Sequence, residues 1–227
     1  MMKNIKTVIF DLDGVLWQLD FVKFGRMIAR DLNVEERYVE EFANQIPNAI
    51  KAMLKRTDVK INKSIILDAI NEGIPNLSKY KVNALMIFAI FINPNYNYSE
   101  NNSKALEVVH ELHERGYKLV VKSNWFAHVQ TMNLRRYGYF PYFEQIVGIM
   151  DDYMKPNPMS VAKIVDGKKV DRFIIIGDTL EKEIKLANEI GMKSIWLNEA
   201  GKEQPEDAAL KPTYEVHDVL EILDVLK

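Results

Sequence analysis

Short apolar runs that stop abruptly at small polar groups punctuate this chain. Lys6-Thr7-Val8-Ile9-Phe10 runs into Asp11-Leu12-Asp13-Gly14. Tyr117-Lys118-Leu119-Val120-Val121-Lys122 runs into Ser123-Asn124, and Arg172-Phe173-Ile174-Ile175-Ile176 into Gly177-Asp178-Thr179. Continuous runs of this length, rich in β-branched residues, read as buried strands. Between and after them the pattern predicts helices over 103–115, 127–137, 158–165, 180–190 and 217–226. Gly116 and Gly191 each follow a helical run and precede a strand, as helix stop signals do. The strand–helix rhythm over 5–16 and 103–227 predicts an α/β fold with a parallel sheet.

Residues 21–92 break that rhythm. They show no convincing alternation and predict helices over 21–32, 35–46, 49–55, 63–71 and 81–91, an all-helical insertion between two parts of the sheet. Residues 93–102, Asn-Pro-Asn-Tyr-Asn-Tyr-Ser-Glu-Asn-Asn, form the clearest linker. The expected division is a core of residues 1–19 and 99–227 and a helical domain of residues 20–98. The longest apolar run, Ala84 to Ile92, is far shorter than the roughly 20 residues a membrane span needs and reads as a buried helix.

Composition narrows the function classes. Of 227 residues 48% are hydrophobic, ample for a core, and the net charge of −2 gives no basic field for nucleic acid or an anionic membrane. The chain has no cysteine, which removes disulfides and thiolate metal sites and fits a cytoplasmic protein. Met1-Met2-Lys3-Asn4 leads into a strand and not into a signal peptide. The expected partner is a small molecule, and the expected state a monomer or homodimer.

The polar strand ends carry the candidate chemistry. In an open α/β sheet, ligands bind at the carboxyl ends of the strands. Burying Asp11 and Asp13 there costs several kcal/mol each unless a cation or hydrogen-bond donors compensate, and a divalent metal would serve both. On this segment alone, a polar strand end with an Asp-Gly turn accounts for the residues equally well. Ser123-Asn124 alone reads as a helix N-cap, and Lys155-Pro156 alone as a surface turn. All four groups in this order are what chance does not supply.

Together, Asp11-Leu12-Asp13-Gly14-Val15, Ser123-Asn124, Lys155-Pro156 and Gly177-Asp178-Thr179 through Glu183-Ile184 resemble the four motifs of the haloacid dehalogenase-like (HAD) hydrolases. The resemblance runs from about residue 5 to the C-terminus and is weakest over 20–100. It implies a Rossmann-like core with a mobile helical cap inserted between the first and second motifs. The 124–154 stretch is too short for a second cap. It also implies a phosphatase acting on a small phosphorylated metabolite. Asp11 would be the nucleophile, and Asp13 the acid that protonates the leaving oxygen and then deprotonates water. Mg²⁺ would be held by Asp178, the Asp11 carboxylate and the Asp13 carbonyl, and the phosphate by Ser123, the Asn124 backbone and Lys155. Where the family places a second aspartate after Asp178, this chain has Lys182 and Glu183. Glu183 is the expected substitute, in the metal's outer shell.

Trp17 and Trp125, each just past a motif, line the substrate entrance or pack at a hinge. Arg26, Arg30, Lys51, Lys55 and Arg56 lie on lid helices, as substrate contacts or as solvated surface. The four histidines show no metal-ligand grouping. Residues 16–21, 194–198 and 203–205 resemble the pyrimidine 5′-nucleotidase and N-acylneuraminate-9-phosphatase branch. A 2-haloacid dehalogenase, a phosphomutase and a non-catalytic HAD-like binding protein remain as alternatives. Asp13 argues against the first and the filled motif positions against the last.

Overall fold

A computed structural model describes residues 4–96, 98–150 and 152–227. Its centre is a six-stranded parallel sheet, and the order of its strands follows from which runs are most apolar. The run Thr7–Phe10 (β1) sits near the middle, flanked by Lys118–Phe126 (β4) and Phe173–Gly177 (β6). Phe143–Ile149 (β5) lies outside β4. Lys193–Leu197 (β7) and Tyr214–Val216 (β8) extend the other side, giving the order β5-β4-β1-β6-β7-β8. Alternate residues fill two apolar layers. Phe10, Leu119, Val121, Ile174 and Ile176 face the helix Ser103–Glu114 (α6) and the C-terminal turn Ile222–Val225 (α10). Ile9, Val120, Phe173 and Ile175 face Ala162–Val165 (α8) and Lys185–Ile190 (α9). Covering both faces explains why these strands read as unbroken apolar runs.

The helical insertion comprises Phe21–Asp31 (α1), Val39–Ala43 (α2), Ile46–Leu54 (α3), Lys63–Gly73 (α4) and Ala84–Phe91 (α5). Asp20, Asn62 and Asn83 cap α1, α4 and α5 by accepting from the backbone N–H three residues on. The expected start at residue 81 moves to Ala84 because Lys81 takes a left-handed conformation and Asn83 caps. The expected helix over 35–46 is a single 3-10 turn, Glu36–Tyr38, followed by α2, and α3 begins at Ile46 and not at residue 49, with Pro47 in its first turn. The block has its own apolar centre, with Phe24, Phe42, Ile46, Ile50 and Phe91, continuous with Trp125 and Phe126 below it. Its chain leaves and returns through a two-stranded antiparallel ribbon, Trp17–Leu19 (β2) against Ser99–Asn101 (β3), with Trp17 opposite Asn101 and Leu19 opposite Ser99.

Ser123-Asn124 is not a helix cap. Both residues belong to β4, which continues to Phe126 with an irregular register against β5 between Lys122 and Phe126, and the helix Ala127–Arg136 (α7) starts only there. No helix among the described residues is long and apolar enough to cross a membrane.

Candidate active site

The chain turns out of strand geometry immediately after β1, and that turn places both aspartates. The Leu12 carbonyl accepts from the backbone N–H groups of Val15 and Leu16 at 3.1 and 2.8 Å, and Gly14 adopts φ +85°. A Cβ on Gly14 would lie 2.3 Å from Asp178 Oδ2, so only glycine lets the first and fourth motifs approach this closely.

Asp11 is buried, and Lys155 Nζ lies 2.7 Å from its Oδ1. The same ammonium is 2.6 Å from Glu183 Oε1. Lys155 and Glu183 have no solvent-exposed side-chain surface. Burial pushes the lysine toward neutrality, but the two carboxylates outweigh it and hold Lys155 above its ordinary range. Burial pushes the Glu183 carboxyl upward, against the opposing pull of Lys155. A five-residue π-helical turn, Leu180–Ile184, brings Glu183 inward. Gly177 makes room, since a Cβ there would lie 2.2 Å from Glu183 Cγ.

Asp13 is held from behind. The Trp17 indole N–H donates to its Oδ1 at 2.7 Å, and Gln130 Nε2 approaches both carboxylate oxygens at 3.4 Å. Burial, and next the charge of Asp11, pushes Asp13 up to about 6; the Trp17 and Gln130 hydrogen bonds pull the other way. An acid tuned this way retains a usable proton near neutrality. Trp17 is therefore not at the substrate entrance. It is fully buried, beside Tyr137 and Tyr139, and its polar edge serves Asp13.

Ser123 is fully buried; its Oγ accepts from Gln130 Nε2 at 3.0 Å and from the Trp125 backbone N–H at 3.2 Å. The Asn124 side chain clasps the Lys155 backbone, its Oδ1 accepting from the N–H at 2.8 Å and its Nδ2 donating to the carbonyl at 3.0 Å. Second and third motifs are thus bound side chain to main chain. One residue before the serine, the buried Lys122 donates to the carbonyls of Gly148 and Tyr153 at 3.2 and 3.1 Å, and burial lowers it to about 8.

A cavity of about 200 Å³ opens above these groups, walled by Asp11, Asp13, Asn124, Trp125, Asp178 and Thr179 from the sheet side. Gln18 and Leu19 of the ribbon, Tyr98, and Phe21, Ile50 and Leu54 of the helical block close the other sides. Trp125 is the one tryptophan on the wall, with its buried indole N–H unpaired among the described residues. Trp196 lies beneath, its indole donating to the Asp178 carbonyl at 3.1 Å. Arg26 and Arg56 pair instead with Glu40 and Glu72, and Lys51 and Lys55 face a separate hollow on the helical block. Arg30 is also absent from the cavity wall.

Carboxylate oxygens of Asp11, Asp178 and Glu183 lie within 4.8 Å of one another. With Asp13 the site gathers four carboxyl groups, of which Asp11 and Glu183 pair with Lys155, and Asp178 is pushed upward by burial and by Asp11. An oxygen-only donor set short of positive charge fits a hard divalent cation such as Mg²⁺. Asp11 and Asp178 would hold it. Glu183, whose carboxylate is taken by Lys155, would stand one step back.

Residues 5–191 match the family model of the haloacid dehalogenase-like hydrolases. The chain belongs to that family. As a HAD-like hydrolase it is similar to the pyrimidine 5′-nucleotidase PynA of Streptococcus pneumoniae, 32% identical over 128 residues, 55% of this chain and about half (53%) of that protein's length. The fold matches the magnesium-bound HAD-hydrolase YfnB of Bacillus subtilis at 19% identity and a TM-score of 0.72, covering 98% of this chain and 99% of that one. It also matches L-2-haloacid dehalogenase of Xanthobacter autotrophicus, at 13% identity and a TM-score of 0.70 over 98% of each chain.

Sequence reasoning missed Gln130 and the apolar cavity wall. A signal for Gln130 was present. Gln130, Asn133 and Arg136 are spaced one turn apart on α7, a polar stripe on a helix packed against the sheet, and they form a chain of hydrogen bonds at 3.4 and 2.6 Å. Phe21, Ile50 and Leu54 carry no such signal, since apolar residues on these helices also form their core.

Proposed function

We propose that this HAD-like hydrolase is a Mg²⁺-dependent phosphatase of a small phosphorylated metabolite, working through an aspartyl-phosphate on Asp11. The observation that carries the reading is the second acid. Asp13 lies on the cavity wall beside Asp11, is fixed by Trp17 and Gln130, and is tuned to hold a proton that an ester's leaving oxygen needs. Displacing a halide requires no such proton, so the shared fold of the dehalogenases does not extend to their reaction. Similarity to a pyrimidine 5′-nucleotidase supports a phosphate ester as substrate.

In the first step an Asp11 oxygen attacks phosphorus, the ester P–O bond breaks, and Asp13 gives its proton to the departing oxygen. In the second, Asp13 takes a proton from water as that water displaces the Asp11 carboxylate, releasing inorganic phosphate. Lys155 and the Asn124 backbone would bind phosphate oxygens, and the Ser123 hydroxyl would support them from below. Asp11 and Asp178 would hold Mg²⁺, whose positive charge would offset the negative charge of the phosphate. The helical block would serve as the lid that excludes bulk water.

Asp11→Asn is expected to abolish para-nitrophenyl phosphate turnover while the purified variant stays folded by circular dichroism, and chelation is expected to stop the wild-type reaction until Mg²⁺ is restored. Near-normal turnover in the purified variant, or full activity in excess chelator, would defeat the proposal.

A further inference from the structure

The lid faces the cavity with carbon. Phe21 opens α1, Ile50 and Leu54 lie one turn apart on α3, and all three stand on the wall opposite the acids. Tyr98 and Trp125 add aromatic surface between them. Every basic side chain of the helical block that the sequence offered for a substrate anion lies off this wall. The wall's one basic residue is Lys182, on the fourth-motif turn, where its charge acts on Asp178. The phosphate end of the cavity is thus crowded with charge, and the opposite end supplies none. An anion on the leaving group would lose its water against Phe21, Ile50 and Leu54 and gain no counter-charge from them, whereas an apolar surface would be favoured by the same contact.

We propose that the phosphate ester accepted here carries an uncharged, largely apolar leaving group, and that a second anion beside the scissile phosphate is selected against. The proposal deepens the phosphatase reading and rests on it. Esters with a carboxylate near the phosphate are excluded as good substrates, and those with an aromatic or hydrocarbon face are admitted. Specificity then comes from what the lid leaves uncompensated as much as from what it contacts.

Three alkyl esters separate charge from reactivity: benzyl phosphate, glycerol 3-phosphate and 2-phosphoglycolate. Their leaving groups are all aliphatic alcohols, so differences in rate report on the wall and not chiefly on leaving-group ability. With the full chain and saturating Mg²⁺, kcat/KM for benzyl phosphate is expected to exceed that for 2-phosphoglycolate by at least about tenfold, with glycerol 3-phosphate between. Leu54→Arg places a cation at the partly buried edge of the wall and is expected to narrow that ratio several-fold. Phe21→Ala is expected to lower the benzyl ester more than the glycerol ester. Melting curves confirm that each variant is folded, and either variant alone suffices to read the wall. Parity of benzyl phosphate with 2-phosphoglycolate overturns the inference, as do unchanged rate ratios in folded variants. If none of the three esters, nor para-nitrophenyl phosphate, releases phosphate, the phosphatase reading itself falls and this inference with it.

Discussion

At the scale of single residues, the site depends on how two acids are held apart in role. Asp11 meets an ammonium, whereas Asp13 meets an indole N–H and an amide. Asp13→Asn is expected to slow the reaction by roughly 10²–10⁴-fold, more for an alkyl ester than for para-nitrophenyl phosphate, since only the alkoxide needs the proton badly. Gln130→Leu keeps the volume but releases both Asp13 and Ser123. Its expected cost is about 10- to 10²-fold in kcat, again steeper for alkyl esters, with KM little changed. A loss equal for both ester types would show that Gln130 only supports the fold. Lys155→Met leaves Asp11 and Glu183 buried without a counter-charge, and losing one partner of such a group costs about 3–5 kcal/mol, readable by chemical denaturation. The sequence made Asp11, Asp13, Lys155 and Asp178 legible only jointly, because each polar group alone has an innocent explanation and their order along the chain does not. Trp17 was legible as a neighbour of the site but not in its role, because an indole's direction is set by packing that Tyr137 and Tyr139 supply from far along the chain.

Elements carry these residues into place, and two of them do so irregularly. The strand β4 runs past its expected end, so that Ser123 and Asn124 are fixed by a sheet and not by a helix start. Apolar periodicity could not show this, because polar residues at a strand's end and at a helix's beginning look alike in sequence. The helix expected over 180–190 opens instead with a π turn that turns Glu183 inward. Gly177→Ala is expected to displace Glu183 and loosen its grip on Lys155, with lower melting temperature and lower kcat measured together. Within β4, Lys122 ties the strand to the carbonyls of Gly148 and Tyr153, on the path to Lys155. Its ammonium gives up a proton at about 8 when folded and near 10.5 when free. Between those values the unfolded chain holds more protons, so raising the pH stabilises the fold; below the window the burial penalty is fully present, and above it the penalty is gone. Relative to Lys122→Met, wild-type stability should therefore climb between pH 8 and 10, by an amount on the order of 1–3 kcal/mol. A flat difference in melting temperature across that range would contradict the assignment.

Over the whole molecule, the sheet and its two covered faces were readable from apolar runs, and the helical block from the loss of that rhythm. Its wall facing the acids was not, because which side of a helix meets a distant sheet depends on how the ribbon β2–β3 sets the block's angle. One arrangement spans all of these parts. The chain has three tryptophans, and each indole sits at the site: Trp17 donates to Asp13, Trp196 donates to the carbonyl of Asp178, and Trp125 lines the cavity between helical block and sheet. Excited at wavelengths where tyrosine does not absorb, the protein's tryptophan emission therefore originates at the candidate site, with no tryptophan background from elsewhere in the fold. A fluorimeter becomes a direct optical probe of this one pocket. Mg²⁺ added to the unlabelled protein should change the emission, Trp196→Phe should remove the larger part of that change, and a substrate analogue entering afterwards should be seen through Trp125.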